Sequence, residues 1–273
     1  MLPVISTCVA TSVDIQYTIS MCLKSLLSIQ VSLEPEVHKV LSDESSYMQL
    51  KIMQQQYNFM NPIDLRHVAQ IDSATLASRP KRRYNFFKLN AFFIMNNEPF
   101  LYVDPDAIIT GYRPLLDQSL SSRKCSLAAT YYPNEGGYWN AGVFVSSGGS
   151  YMDMKKLLDV DTYHVWRRDT DASRKRKSSG DNSLLVSYFR KQQCQHFVLD
   201  ACFNFRNYIF QSHCLRSPFH IFAWHHKLFP RWTSIVTQGN SSSLAVNQEG
   251  LRKANSSALA LYYIRVLKNL GWK

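Results

Sequence analysis

With 273 residues, 45% of them hydrophobic and 19% charged, the chain has the composition of a folded globular protein and is long enough for one large core or two small ones, which excludes a disordered segment. Its net charge of +11, from 31 basic and 20 acidic residues, suits nucleic acid, anionic lipid headgroups or phosphorylated small molecules. No apolar run reaches the length needed to span a bilayer, and no signal peptide is visible.

The expectation is therefore a soluble cytoplasmic protein, or a Golgi-lumenal one if the chain is an excised domain. Six scattered cysteines form no CxxC pair and no zinc-finger spacing, and read as reduced, mostly buried thiols. Two N-x-S sequons, at Asn240 and Asn255, matter only in a secreted chain.

In chain order, Pro3 to Ala10 is apolar and β-branched and predicts a buried strand. From Tyr17 a helical pattern sets Cys22, Leu23, Leu26 and Leu27 on one side. Strand, loop and helix open an α/β domain. Between Val31 and Asn61 the only clear element is a helix with a polar face in "SSYMQLKIMQQQYNFM". Thr75 to Arg83 reads as a basic loop. "YNFFKLNAFFIM" suits a largely buried helix that stops at Asn96-Asn97, before Pro99. "FLYV" is a short buried strand, "CSLAATYY" another, and "GGYWNAGVFVSSGG" a strand flanked by glycines. Helices are expected from Asp153 to Tyr163 and over "GDNSLLVSYFRK". Between these two lies a basic stretch, 167–180, expected to be mobile without ligand. "FHIFAWHHK" is a strand ending in two histidines, and 251–273 contains an amphipathic helix. No repeat or clean linker divides the chain, so a single domain is expected.

The pair Asp104/Asp106 ends the "FLYV" strand. Two other Asp-x-Asp triplets exist, at Asp159/Asp161 and Asp169/Asp171, so the spacing alone carries little. Only the first follows a buried strand, at the edge where ligands gather in open α/β sheets. Two carboxylates that close repel, and a hard divalent cation between them removes the repulsion. The alternative is a plain strand-to-turn junction, where Asp and Pro are common.

The order of these segments resembles glycosyltransferase family 8, enzymes of the GT-A fold that include glycogenin and bacterial lipopolysaccharide galactosyltransferases. The resemblance runs as ordered landmarks from about Val4 to Trp232. "CVATSVDIQYTISMCLKSLLS" is similar to the family's first strand and nucleotide loop, which implies nucleotide contacts by Thr11, Ser12 and Asp14 and a uracil-stacking role for Tyr17. Lys88, sixteen residues before Asp104, matches the basic residue that approaches the donor diphosphate and sugar. "YWNAGVFV" resembles the strand that sets Asn140, Ala141 and Gly142 beside the donor sugar. "GDNSLL" is similar to a D-Q-x-x-[LF]-N segment, which implies catalytic-site positions for Asp181 and Asn182, with asparagine in place of glutamine. "FHIFAWHHKLFPRW" resembles a final H-F-x-G-x-x-K-P-W motif, without its glycine and one residue out of step. That motif implies a diphosphate contact by Lys227 and a third metal ligand among His220, His225 and His226; His225, which ends the apolar run, is preferred.

The resemblance implies a single GT-A domain over 1–273, with a mixed, mostly parallel sheet flanked by helices. It implies a metal-dependent transferase that moves a hexose from a UDP-sugar to a glycan, protein or lipid acceptor, with retention. Manganese, with magnesium as the alternative, would bind Asp104, Asp106 and His225. Each position also has a plainer reading: Tyr17 as a packed helix start, Lys88 as a snorkelling lysine, Asn140 as a backbone partner and Asp181 as a helix cap. A degenerate domain that binds a sugar nucleotide or partner without turnover is the second hypothesis. A nucleic-acid-binding protein ranks last, because no recognition motif accompanies the charge; peripheral contact with an anionic membrane stays open.

Overall fold

The computed structural model describes residues 2–9, 15–56, 63–68, 87–109, 126–132, 138–147, 182, 185, 194–205 and 222–225. The expected helices at Asp153–Tyr163 and 251–273, the basic stretches at Thr75–Arg83 and 167–180, and both sequons lie outside them.

Strand β1 (Val4–Cys8) leads into the long helix α1 (Ile15–Leu33), as the apolar pattern predicts. Two strands that the pattern did not reveal follow: β2 (His38–Ser42) and, after helix α2 (Glu44–Gln56), β3 (Ile63–His67). A 3₁₀ turn at 87–89 enters α3 (Asn90–Met95), which ends where expected. Asn96 takes the left-handed conformation at φ 45°, a helix stop that asparagine tolerates better than most residues. Then come β4 (Phe100–Val103), β5 (Ala107–Ile109), β6 (Ser126–Tyr132), β7 (Tyr138–Ser146), β8 (Gln195–Leu199), β9 (Asn204–Phe205) and β10 (Ala223–His225).

Among the described residues, seven strands form one sheet in the order β3-β2-β1-β4-β7-β6-β8. The pairs β1/β2, β2/β3, β1/β4 and β6/β8 are parallel, whereas β7 runs antiparallel to both β4 and β6. The sheet is thus mixed and mostly parallel. Both faces of β4 are covered, which explains the unbroken apolar run of "FLYV". Phe100 and Tyr102 pack with Phe92 and Phe144 on one face. Leu101 and Val103 pack with Ile29 and Leu33 of α1 on the other. A smaller sheet, β5-β10-β9, lies beside α1 through Ile109, Phe222 and Ala223.

The chain moves outward from β1 through β2 to β3, then returns to lay β4 on the other side of β1. The carboxyl ends of β1 and β4 therefore flank a topological switch point, where open α/β sheets form their ligand crevice.

One expectation is overturned. Cys8, at the end of β1, is bonded to Cys22 of α1, and Cys194 and Cys202 are disulfide-bonded as well. No described cysteine is a free thiol. The spacing of 14 residues in the chain gave no sign of this, because only the fold-back of α1 onto β1 brings the two sulfurs together. Among the described residues no helix is long and apolar enough to cross a membrane.

Candidate functional site

Asp104 follows β4 directly, at the switch point. Its side chain is 16% exposed and its neighbours hold it firmly. The Tyr102 hydroxyl donates to Oδ1 at 2.8 Å. The Lys88 ammonium lies 3.0 Å from Oδ1 and 3.2 Å from Oδ2. Thr7 Oγ1 stands 2.6 Å from the Tyr102 hydroxyl; since that hydroxyl gives its proton to Asp104, Thr7 is the donor. Lys88 is buried, its side chain 6% exposed, and also donates to the Ala141 carbonyl at 3.0 Å. Its ammonium sits 5.3 Å from the centre of the Tyr102 ring. The charge expected near the two aspartates thus has one source within the protein.

The turn that carries the pair is tied on every side. Asp104 N–H donates to the Gly142 carbonyl at 2.7 Å, and Ala107 N–H donates back to the Asp104 carbonyl at 3.0 Å. Ser25 of α1 donates to the same carbonyl at 3.3 Å. Asp106 is half-buried in that turn.

The segment Asn140–Ala141–Gly142 is where β7 leaves the register of β6. Ala129 pairs with Phe144, yet the next residue, Thr130, pairs with Asn140. Such irregularities re-aim backbone groups beside functional sites. Here two carbonyls meet the aspartate and its lysine, Gly142 accepting from Asp104 N–H and Ala141 from Lys88, while Ala141 N–H donates to Asn182 Oδ1 at 2.8 Å. Asn140 is fully buried, and its Oδ1 accepts from Gly142 N–H at 2.7 Å and from Asn204 Nδ2 at 2.9 Å.

The structure therefore gathers Lys88, Asp104, Asn140, Ala141, Gly142 and Asn182 into one contact set. Strand β10 is antiparallel to β5, with His225 opposite Ala107, the residue after Asp106. That register lays the histidine's backbone against the aspartate turn. Tyr17 lies in α1 near its start. Thr11, Ser12, Asp14, Asp181, His220, His226 and Lys227 lie outside the described residues. No group of three or more metal-ligating side chains is assembled among the described residues.

The donor set still fits a hard divalent cation. An ionised carboxylate offers about four acceptor positions, so Asp104 can accept from Tyr102 and Lys88 and still present oxygen to a cation. Asp106 is partly open in the same turn, and the β5/β10 register supplies a histidine position one strand away. Two carboxylates and an imidazole suit manganese or magnesium.

Three residues were missed in the sequence. Tyr102 and Thr7 looked like ordinary strand residues; the available signal was that Tyr102 lies two before Asp104 on its strand. Asn204 gave none, because β9 was not foreseen.

No protein-family model matches the chain, and no curated protein sequence matches it. Similarity appears in three dimensions. The apo form of mouse xyloside xylosyltransferase 1 aligns with a TM-score of 0.57 at 12% identity, over 83% of this chain and 97% of that one. The glycosyltransferase GlyE of Streptococcus pneumoniae gives a TM-score of 0.48 at 20% identity, over 82% of this chain, which spans 55% of that protein. A glycosyltransferase involved in the glycosylation of the major capsid of PBCV-1 gives 0.46 at 12% identity, over 82% and 92%. The likeness to the xylosyltransferase, together with the sheet order, shows that the chain has the GT-A glycosyltransferase fold.

Proposed function

We propose that this chain is a metal-dependent glycosyltransferase of the family 8 kind, which moves a hexose from a UDP-sugar to a glycan, protein or lipid acceptor with retention. The observation that carries the reading is the placement of Asp104 and Asp106 at the switch-point end of β4, with β10 laying His225 against their turn.

Asp104, Asp106 and His225 would hold a manganese or magnesium ion, which as a Lewis acid would stabilise the charge that develops on the leaving diphosphate. The protein's own groups divide the remaining work. Tyr102 and Thr7 fix the Asp104 carboxylate. Lys88, charged and nearly dry, adds positive potential beside it. Asn182, anchored through Ala141 N–H, would donate from its Nδ2 to a bound sugar. Asp181 lies beside it in sequence, and Lys227, Thr11, Ser12, Asp14 and Tyr17 complete the donor contacts that the resemblance implies. The paired cysteines support an oxidising compartment over the cytoplasm.

One observation favours a second reading, a domain that binds without turnover. Lys88 itself compensates the charge of Asp104. Thermal-shift titrations of UDP, ADP and GDP, with and without manganese, test binding. UDP is expected to raise the melting temperature most, and by more with metal than without. Transfer and hydrolysis assays with a panel of UDP-sugars separate the two readings. In Asp106→Asn the manganese-dependent shift should vanish while the melting temperature without ligand holds. An undiminished UDP response in both Asp104→Asn and Asp106→Asn would overturn the metal reading.

A further inference from the structure

The aspartate turn leads from β4 of the large sheet into β5 of the small one, and the β5/β10 ladder sets His225 opposite Ala107; a second, side-chain tie joins the two sheets farther along. The large sheet carries Asp104 and the Asn140–Gly142 segment; the small sheet carries His225 on β10. Asn204, on β9, spans the gap. Its Nδ2 donates to Asn140 Oδ1 at 2.9 Å, with both side chains fully buried. Asn140 passes the constraint on, because the same Oδ1 accepts from Gly142 N–H, and Gly142 carbonyl accepts from Asp104 N–H. On the other side Asn204 pairs with Ala223, two residues before His225 on β10. A short run of bonds thus leads from the aspartate turn through Gly142, Asn140 and Asn204 to the histidine strand.

The tie is costly. Asn140 Nδ2 is buried without a hydrogen-bond partner. A buried amide donor left so costs about 1–3 kcal/mol, a cost that two apolar side chains would avoid. Stability alone does not account for a polar pair here, whereas a directional bond between two sheets does fix their register.

We infer that Asn204 is a positioning residue, which holds the histidine-bearing small sheet in register with the aspartate turn and so sets the affinity of the site for its divalent cation. The inference rests on the metal-dependent reading above and adds a residue that touches neither metal nor donor.

The test uses Asn204→Asp, which keeps the shape and loses the donor, and Asn204→Leu, which fills the volume without a polar group. Manganese is titrated into protein with saturating UDP by calorimetry. UDP binding without metal and the melting temperature are measured alongside. In whichever variants fold, the apparent manganese dissociation constant is expected to rise about ten-fold or more, while UDP affinity without metal stays within about two-fold of wild type. A purely structural role would lower the melting temperature and weaken both kinds of binding together, and that result overturns the inference. So does unchanged manganese affinity in both variants. If wild type shows no manganese-dependent UDP binding, the metal reading itself fails; if wild type shows it and the variants do not lose it selectively, only the role of Asn204 fails.

Discussion

Asp104 shows how one side chain can be fixed by groups that look ordinary in the sequence. Its oxygens take bonds from Tyr102 and Lys88, and Tyr102 is held in turn by Thr7. Tyr102→Phe removes the hydroxyl that joins Thr7 to Asp104, and a lost buried hydrogen bond of this kind costs about 1–3 kcal/mol. A lower denaturation midpoint and weaker manganese-dependent UDP binding are expected; an unchanged midpoint would show that the hydroxyl contributes nothing. Away from the site, His38 is fully buried and neutral. Gln30 Nε2 donates to its Nδ1 at 3.0 Å, so its Nε2–H donates to Ser6 Oγ at 3.2 Å. Burial lowers its pKa from 6.5 to about 3. The unfolded chain takes up this proton first as pH falls, so the contribution is complete above pH 6.5 and is lost from there toward pH 3, by at most about 1.4 kcal/mol per pH unit. Urea unfolding of wild type and His38→Asn should give midpoints that converge between pH 7 and pH 4. A difference that does not vary with pH would refute this.

At the scale of elements, the Cys8–Cys22 bridge joins the end of β1 to α1 and closes a loop that contains Thr11, Ser12, Asp14 and Tyr17. Every residue expected to contact the nucleotide base lies within that covalent loop. Closing a loop of this size stabilises by about 3 kcal/mol through the unfolded chain. The double variant Cys8→Ala/Cys22→Ala is therefore expected to melt several degrees lower and to bind UDP more weakly, whereas treating it with reductant tests the remaining bridges. A variant with wild-type UDP affinity would limit the bridge to stability. Elements differ in how far the sequence reveals them. "FLYV" is apolar and "VISTC" is buried throughout, and both read correctly. "IDLRH" carries three charged or titratable side chains on the outermost strand of the sheet, and "HKVLS" hides a histidine whose polarity is satisfied only by Ser6 and Gln30. No local pattern announces such strands; parallel pairing of β2 to β1, and of β3 to β2, makes them.

Over the whole molecule, charge is the property most legible in the sequence. Replacing Arg174, Lys175, Arg176 and Lys177 with serine removes four of the net +11. If these cations attract an anionic donor or acceptor, the variant's apparent Michaelis constant should rise and depend less on salt. Wild-type kinetics at low salt would make the cluster a solvated surface with no part in binding. The sequence by itself determined the α/β class, the strand that ends in Asp104 and Asp106, and the order of segments that resembles a glycosyltransferase, because burial and turn chemistry are written in neighbouring residues. The tertiary structure alone decided that Lys88 pairs with Asp104, that Cys8 bonds to Cys22, and that Asn204 reaches Asn140. Those partners lie 16, 14 and 64 residues apart. Contacts over such spans depend on how helices and strands stack, and no local stretch of sequence encodes that stacking.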